Sequence, residues 1–201
     1  RKHVILLSSL LILLCGLSGC FHTPQKETKD NINSIIEEQN SNILISINYP
    51  VTHIQAFDRI LDQDVEHIYN QFKEEYESFQ SLSEESELNI DYTYDIVNVR
   101  YYNITLTVFL SSSKLAHPIT EFKTYVYDKK DKKLLTISDL LKEEEQEKLV
   151  PKIEQQLLTT YQDCLLLEEM QGYITPSTDY LFTIDDRNLT IYFNPGIITS
   201  H

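Results

Sequence analysis

Tyr101-Tyr102-Asn103-Ile104-Thr105-Leu106-Thr107-Val108-Phe109-Leu110 is the stretch that decides the fold. Tyr102, Ile104, Leu106, Val108 and Leu110 fall on one face of an extended chain, and Asn103, Thr105 and Thr107 fall on the other. Side chains along a strand point alternately to opposite faces, so this period of two marks a half-buried antiparallel strand. Residues 88–97 alternate more loosely, carry Tyr92 and Tyr94, and lead into a tight turn near Asn98. Residues 122–127 form the third strand of the group, and Asp128-Lys129-Lys130-Asp131-Lys132-Lys133 is a charged turn after it.

On either side the period changes from two to about 3.6. Phe57, Ile60, Leu61, Val65, Ile68, Phe72, Tyr76 and Phe79 recur at three and four, which predicts a helix over residues 55–80. Leu149, Ile153, Leu157, Tyr161, Cys164 and Leu165 do the same over 143–168, with Pro151 placing the well-ordered start near Val150. A strand over 43–49 precedes the first helix and stops at Pro50. Ser138-Asp139-Leu140-Leu141 reads as a helical turn. Residues 180–184 and 189–193 flank Asp185-Asp186-Arg187-Asn188 and form a hairpin. The order β-α-β-β-β-α-β-β predicts an α+β fold, with two long helices packed on an antiparallel sheet.

The N-terminus carries a different signal. Arg1, Lys2 and His3 precede an apolar run from Val4 to Leu17, and Leu17-Ser18-Gly19-Cys20 closes it. A positive head, an apolar body and a small-residue exit are the parts of a secretion signal. The run is shorter than the roughly 20 residues a spanning helix needs. The stretch resembles the lipobox of bacterial lipoproteins, which implies that the Cys20 thiol receives a diacylglyceryl group and becomes the mature N-terminus. An uncleaved N-terminal anchor is the other reading, and both place the remainder outside the cytoplasm. Residues 1–19 are then the signal, 20–41 a polar tether in which Ile32, Ile35 and Ile36 allow a short helical turn, 42–86 a small βα subdomain and 87–201 the main domain.

Composition narrows the function classes. The formal net charge is −14, and loss of the signal removes two cations and no acid. Such a chain is poorly suited to nucleic acid or to anionic lipid; it suits a cationic partner, or solubility alone. Of three cysteines, Cys15 lies in the signal, Cys20 is the lipidation candidate, and Cys164 reads as an inert thiol on a helix face. Beyond the signal only Gly172 and Gly196 remain, so no phosphate-cradling loop is available.

Ala116-His117-Pro118, then Phe122-Lys123-Thr124-Tyr125-Val126-Tyr127-Asp128, a lysine-rich turn and Leu135-Thr136-Ile137-Ser138-Asp139-Leu140 form an ordered series. Phe182-Thr183-Ile184 and Leu189-Thr190-Ile191-Tyr192-Phe193-Asn194-Pro195 continue it. The series resembles the extracytoplasmic domain of RsiV-type anti-sigma factors, a domain that also stands beside the catalytic domain of PdaC-like peptidoglycan deacetylases. The likeness covers residues 88–200, and residues 43–79 are similar to the smaller domain that precedes it in the family. The family pattern continues past Pro195 into another strand, which predicts that this domain is truncated at His201. No cytoplasmic sigma-binding region precedes the signal, so the resemblance does not imply a complete anti-sigma factor.

Candidate chemistry is sparse. A deacetylase of this family holds a metal with an aspartate and two histidines, yet His-x-x-x-His is absent, and His22, His53, His67, His117 and His201 are scattered. His53 and His67 read as surface residues, and His117 as a hydrogen-bonding loop residue. Asp62, Asp64 and Glu66 splay around a helix and do not converge. Glu143-Glu144-Glu145 suits the positive end of a helix dipole. No Gly-x-Ser-x-Gly elbow exists. The sequence therefore predicts no catalytic residue, no metal site and no cofactor. The tyrosines are the remaining feature: Tyr92, Tyr94 and Tyr101 form either core and strand packing or a candidate binding surface on a helix-free sheet face. The expected function is a non-catalytic, membrane-tethered envelope domain. The resemblance implies a cell-wall glycan, or a cationic wall-directed protein such as lysozyme, as partner. The alternative is the N-terminal portion of a peptidoglycan deacetylase whose catalytic domain lies elsewhere.

Overall fold

The computed structural model describes residues 32–39, 42–76, 85–113, 115–161, 170, 172–176 and 178–197. The elements are β1 (Ile32–Gln39), β2 (Ile43–Pro50), α1 (Gln55–Tyr76), β3 (Ser86–Val97), β4 (Tyr101–Ser112), β5 (Ile119–Asp128), β6 (Lys133–Leu134), α2 (Ile137–Leu140), α3 (Glu143–Tyr161), β7 (Leu181–Ile184) and β8 (Leu189–Tyr192). The α+β class expected from the alternating periods is the one found. Strands β1 to β6 form one sheet in sequential order, and β7 and β8 form a separate hairpin.

Two features of the sheet differ from expectation. First, β2 and β3 run parallel, so the sheet is mixed rather than wholly antiparallel. The cause is α1, which carries the chain back across one face and returns it in the same direction. The expected boundary between residues 86 and 87 falls at the first residues of β3, and the sheet and its core run through it. Second, residues 32–39, expected within a tether or a helical turn, form edge strand β1, antiparallel to β2 with a bulge between Ser34 and Glu37. An edge strand pairs on one side through its backbone and tolerates polar side chains, so its composition hid it.

Packing follows the periods. Phe57, Leu61, Val65, Ile68 and Phe72 of α1 are buried against Ile45 and Ile47 of β2, Leu88 and Ile90 of β3, Ile104 and Leu106 of β4, and Tyr125 and Tyr127 of β5. Burying each such apolar side chain contributes about 1.5–3 kcal/mol. Phe57 stacks on Tyr127 with ring centroids 4.7 Å apart. The polar side of α1 is less free than its composition implied. Asp58 accepts from the amide and hydroxyl of Thr52, both at 2.7 Å. The Tyr49 hydroxyl donates to Asp62 at 2.9 Å and the Tyr125 hydroxyl to Asp64 at 2.7 Å. Burial first, and then these carboxylates, push both phenols well above their ordinary pKa.

The second face of the sheet is also covered. Val126 of β5 packs with Ile137, Ile153, Leu157, Met170, Ile174, Tyr180 and Phe182. Asn103 and Thr105, expected on an open face, are buried as a result. The β7–β8 hairpin docks here through side-chain amides. Asn103 Nδ2 donates to the Ile184 carbonyl at 2.8 Å, while the Ile184 amide donates to Asn103 Oδ1 at 3.1 Å. Asn194 Oδ1 accepts from the Phe122 amide at 2.6 Å, and Thr124 Oγ1 from the Phe182 amide at 2.8 Å. Helix α3 starts at Glu143 and runs through Pro151. Pro151 is exposed and has no N–H to give, so the expected start near Val150 is corrected: the lost bond falls on the solvent side of a helix already under way. Cys164 and Leu165 lie outside the described residues.

Candidate functional site

Strand parity sorts the candidate residues. In β3, Leu88, Ile90, Tyr92 and Tyr94 share the face under α1, since Tyr92 pairs with Leu106 and Tyr94 with Ile104. Glu87, Asn89, Asp91, Thr93, Asp95 and Val97 share the opposite face. Tyr101 pairs with Val97 and so belongs to that second face. The structure therefore does not bring Tyr92, Tyr94 and Tyr101 onto one surface. Tyr92 and Tyr94 are half-buried against the α1 core, with Tyr94 centred 6.0 Å from Tyr102. Tyr101 lies beneath the Arg100 guanidinium, 4.8 Å from its ring centre. Cys20 lies outside the described residues.

The second face holds a groove instead. It lies between β3–β4 and the β7–β8 hairpin, has a volume of about 210 Å³, and is lined by Thr93, Asp95, Asn103, Thr105, Thr183, Asp185, Thr190 and Tyr192, with Tyr94 of the three sequence candidates also on its border. The docked hairpin forms one wall, so the Asn103–Ile184 bonds fix its width. Asp185 accepts from the amides of Arg187 at 2.7 Å and Asn188 at 2.9 Å, and from the Asn188 side chain. Those bonds, the Asn188 side chain first, hold its carboxyl below the ordinary aspartate range. Tyr192 lies 6.2 Å from Phe122, centre to centre, and its hydroxyl is 3.2 Å from Thr183 Oγ1. Hydroxyls, an amide, carboxylates and an aromatic ring can together meet a hydroxyl-rich ligand, in which polar edges need partners and ring faces need an apolar plane. Asp95, Asn103 and Tyr192 were not singled out from sequence. Asn103 was findable, as a lone amide inside a strand otherwise made of threonine, aliphatic and aromatic residues.

A second constellation lies at one end of the sheet. Asp128 is buried, and its carboxylate accepts from Arg100 Nε at 2.9 and 3.0 Å and from the amides of Lys130 at 2.8 Å and Asp131 at 3.1 Å. The Arg100 bonds, first, hold its pKa down to about 2. Arg100 Nη2 also reaches Asp131 at 3.1 Å. This arrangement ties two turns together and presents no nucleophile. His53, His67 and His117 are exposed, and His22 and His201 lie outside the described residues. Among the described residues no group of three or more His, Cys, Asp or Glu side chains could hold a metal. Among them, too, no helix is long and apolar enough to cross a membrane.

No family model matches the chain. It is 26% identical over 160 residues to the peptidoglycan-N-acetylmuramic acid deacetylase PdaC of Bacillus subtilis strain 168, covering 71% of this chain. The chain spans about a third of that relative, 33% of its length. A solved structure of a DUF3298 family protein from Pseudomonas aeruginosa PAO1 superposes with a TM-score of 0.51 at 14% identity, covering 79% of this chain and 78% of that one. The chain thus contains a domain related to part of PdaC, with the fold of a DUF3298 family protein.

Proposed function

We propose that this is a non-catalytic domain of the bacterial cell envelope, held outside the cytoplasm by lipid on Cys20, whose groove binds a wall glycan. The observation that carries the reading is the groove beside the β7–β8 hairpin, where Thr93, Asp95, Thr105, Thr183 and Tyr192 converge. The relation to part of a peptidoglycan deacetylase supports a wall context. In this reading the domain positions wall-directed chemistry that its own residues do not perform. The full chain titrated with soluble peptidoglycan fragments in a calorimeter tests it. Binding is expected, with Asp95→Asn and Tyr192→Ala each weakening it about tenfold, the loss of a buried hydrogen bond or an aromatic contact. Absence of binding at millimolar fragment, or binding indifferent to both substitutions, overturns the groove assignment. Cys20→Ala should release the protein from membranes or block its processing; unchanged processing and retention would remove the lipid.

One observation favours a cationic protein such as lysozyme as a second reading. Glu87, Asp91 and Asp95 alternate with Asn89 and Thr93 along a single face of β3, within a chain of net charge −14. Encounter with a cation would then slow as salt rises. Calorimetry with lysozyme at low and at physiological salt separates this reading from the glycan.

A further inference from the structure

The geometry points to a membrane-docking tip at one end of the sheet, built to rest on an anionic phospholipid bilayer. Two turns meet there. Residues 98–100 join β3 to β4, and residues 129–132 join β5 to β6. They are tied together: the Lys129 amide donates to the Arg100 carbonyl at 2.9 Å, and Asp128 holds Arg100 while accepting amides of its own turn. Lys129, Lys130 and Lys132 are exposed; the Lys129 ammonium lies over the Tyr102 ring, 5.8 Å from its centre, and none of the three has a carboxylate partner among the described residues. Of the nearby acids, Asp128 and Asp131 are engaged with Arg100, and Asp139 with Lys133. The β7–β8 turn reaches the same end from the second face, since Ile184 bonds Asn103; Asp185 is bonded within that turn, and Asp95 and Asp186 are the other acids near it. Val99 stands at the point, 79% exposed, with a φ of 57°. A β-branched residue is strained at that φ, and among the described residues the Val99 side chain joins neither hydrophobic cluster. Exposed aliphatic surface among lysines matches the boundary between acyl chains and anionic headgroups.

Topology supplies the second argument. Ile32, where β1 begins, pairs with Pro50, the end of β2, and β2 runs parallel to β3. The start of β1 and the turn after Val97 therefore lie at the same end of the sheet. The segment joining Cys20 to Ile32 spans at most about 40 Å when fully extended. The inference rests on the reading that the N-terminal segment holds the chain to a membrane: that attachment and the tip then leave the domain in one direction. The net charge of −14 does not forbid contact, because charges beyond a Debye length of about 8 Å are largely screened and the bilayer meets the tip first.

The chain has no tryptophan, so one introduced tryptophan reports alone. The full chain carrying Val99→Trp, or Asn98→Trp should the first not fold, is mixed with vesicles of phosphatidylcholine containing or lacking phosphatidylglycerol. Ala116→Trp, in the loop at the opposite end of the sheet, is the control. Tip emission should shift to the blue and be quenched by brominated lipid on the anionic vesicles, while the control stays unchanged. Lys129→Glu/Lys130→Glu/Lys132→Glu should raise the lipid needed for half the quench by about tenfold or more. Sedimentation with the vesicles reports the N-terminal attachment separately. A chain that sediments with anionic vesicles while the tip stays unquenched overturns the tip and spares the anchor. So does a quench unchanged by the charge reversals. An equal spectral shift with soluble polyphosphate and no vesicles would assign the lysines to an anionic polymer and overturn the bilayer. Failure to sediment with any vesicle overturns both.

Discussion

Replacing Asp128 with asparagine removes one charge from the point where two turns and the end of the sheet are joined. The Asp128 side chain is 2% exposed, whereas the Arg100 side chain is 35% exposed. Asparagine keeps the size and can still accept from the Lys130 and Asp131 amides, but it turns an N–H₂ group toward a guanidinium that has only donors. Hydrogen bonds to charged groups contribute about 1.5–3 kcal/mol, but an arginine this open can turn to water and recover part of the loss. The expected cost at pH 7 is about 2 kcal/mol, which for a domain of this size lowers Tm by about 4–8 °C.

The sign of the pH dependence follows from the depressed pKa. The folded value is about 2 against an ordinary 3.8, so the carboxylate's contribution is fully present above 3.8 and is lost as pH falls through 2. Urea unfolding at pH 6 should separate wild type from Asp128→Asn by the whole amount, and at pH 3 by about half of it. The double variant with Arg100→Gln should cost less than the two single changes together, because either change alone already breaks the pair. A gap equal at both pH values, or a cost below about 0.5 kcal/mol at pH 6, would refute the reasoning.

Other outcomes can be stated directly. Tyr127 is buried and its hydroxyl meets no protein partner among the described residues, so Tyr127→Phe should be neutral or stabilising by up to about 1 kcal/mol in urea unfolding. Asn103→Ala leaves the Ile184 amide and carbonyl without their partners and should cost about 2–3 kcal/mol; a loss below about 1 would show the hairpin is not docked as described. Phe57→Ala removes a fully buried ring from the stack on Tyr127 and should cost about 3–5 kcal/mol by the same assay. Val99→Gly relieves a positive φ and should raise stability by about 0.5–1 kcal/mol, while weakening the quench of an Asn98→Trp reporter in the vesicle experiment, which a merely structural role would not do.

Local patterns carried much of this fold and failed where information was long-range. The burial of Phe57, Leu61, Val65, Ile68 and Phe72 is written in their spacing, and the β4 pattern named Ile104 and Leu106 as core. The strand at Ile32–Gln39 was hidden because an edge needs backbone pairing rather than apolar side chains. The burial of Asn103 and Thr105 was hidden because their cover, the β7–β8 hairpin, lies some 80 residues away, as the separation of 81 between Asn103 and Ile184 records. An asparagine on a strand reads as solvent-facing until a backbone from elsewhere consumes its hydrogen bonds, as Ile184 does for Asn103.

Tyr101 is parted from Tyr92 and Tyr94 for a reason that one residue decides. A two-residue connection at Asn98 and Val99 would pair Val97 with Arg100, put Ile96 opposite Tyr101, and so place Tyr101 on the face of Tyr94. The connection found includes Arg100 as well, and Val97 pairs with Tyr101. That single added residue reverses the face of Tyr101 relative to β3. It also frees the Arg100 side chain from the ladder to cross to Asp128, which joins the two turns. The turn length thus settles two matters at once: Tyr101 lies on the other face of β3 and β4 from Tyr92 and Tyr94, and Arg100 bridges the two turns at the end of the sheet. Deleting Val99 tests the place of Arg100. It leaves Asn98 and Arg100 as a two-residue turn with Val97 still opposite Tyr101, so hydrogen-exchange protection along β3 should persist while Arg100, drawn into the turn, loses Asp128. Unchanged protection with an undiminished pH dependence between pH 6 and 3 would show that turn length does not place Arg100 against Asp128.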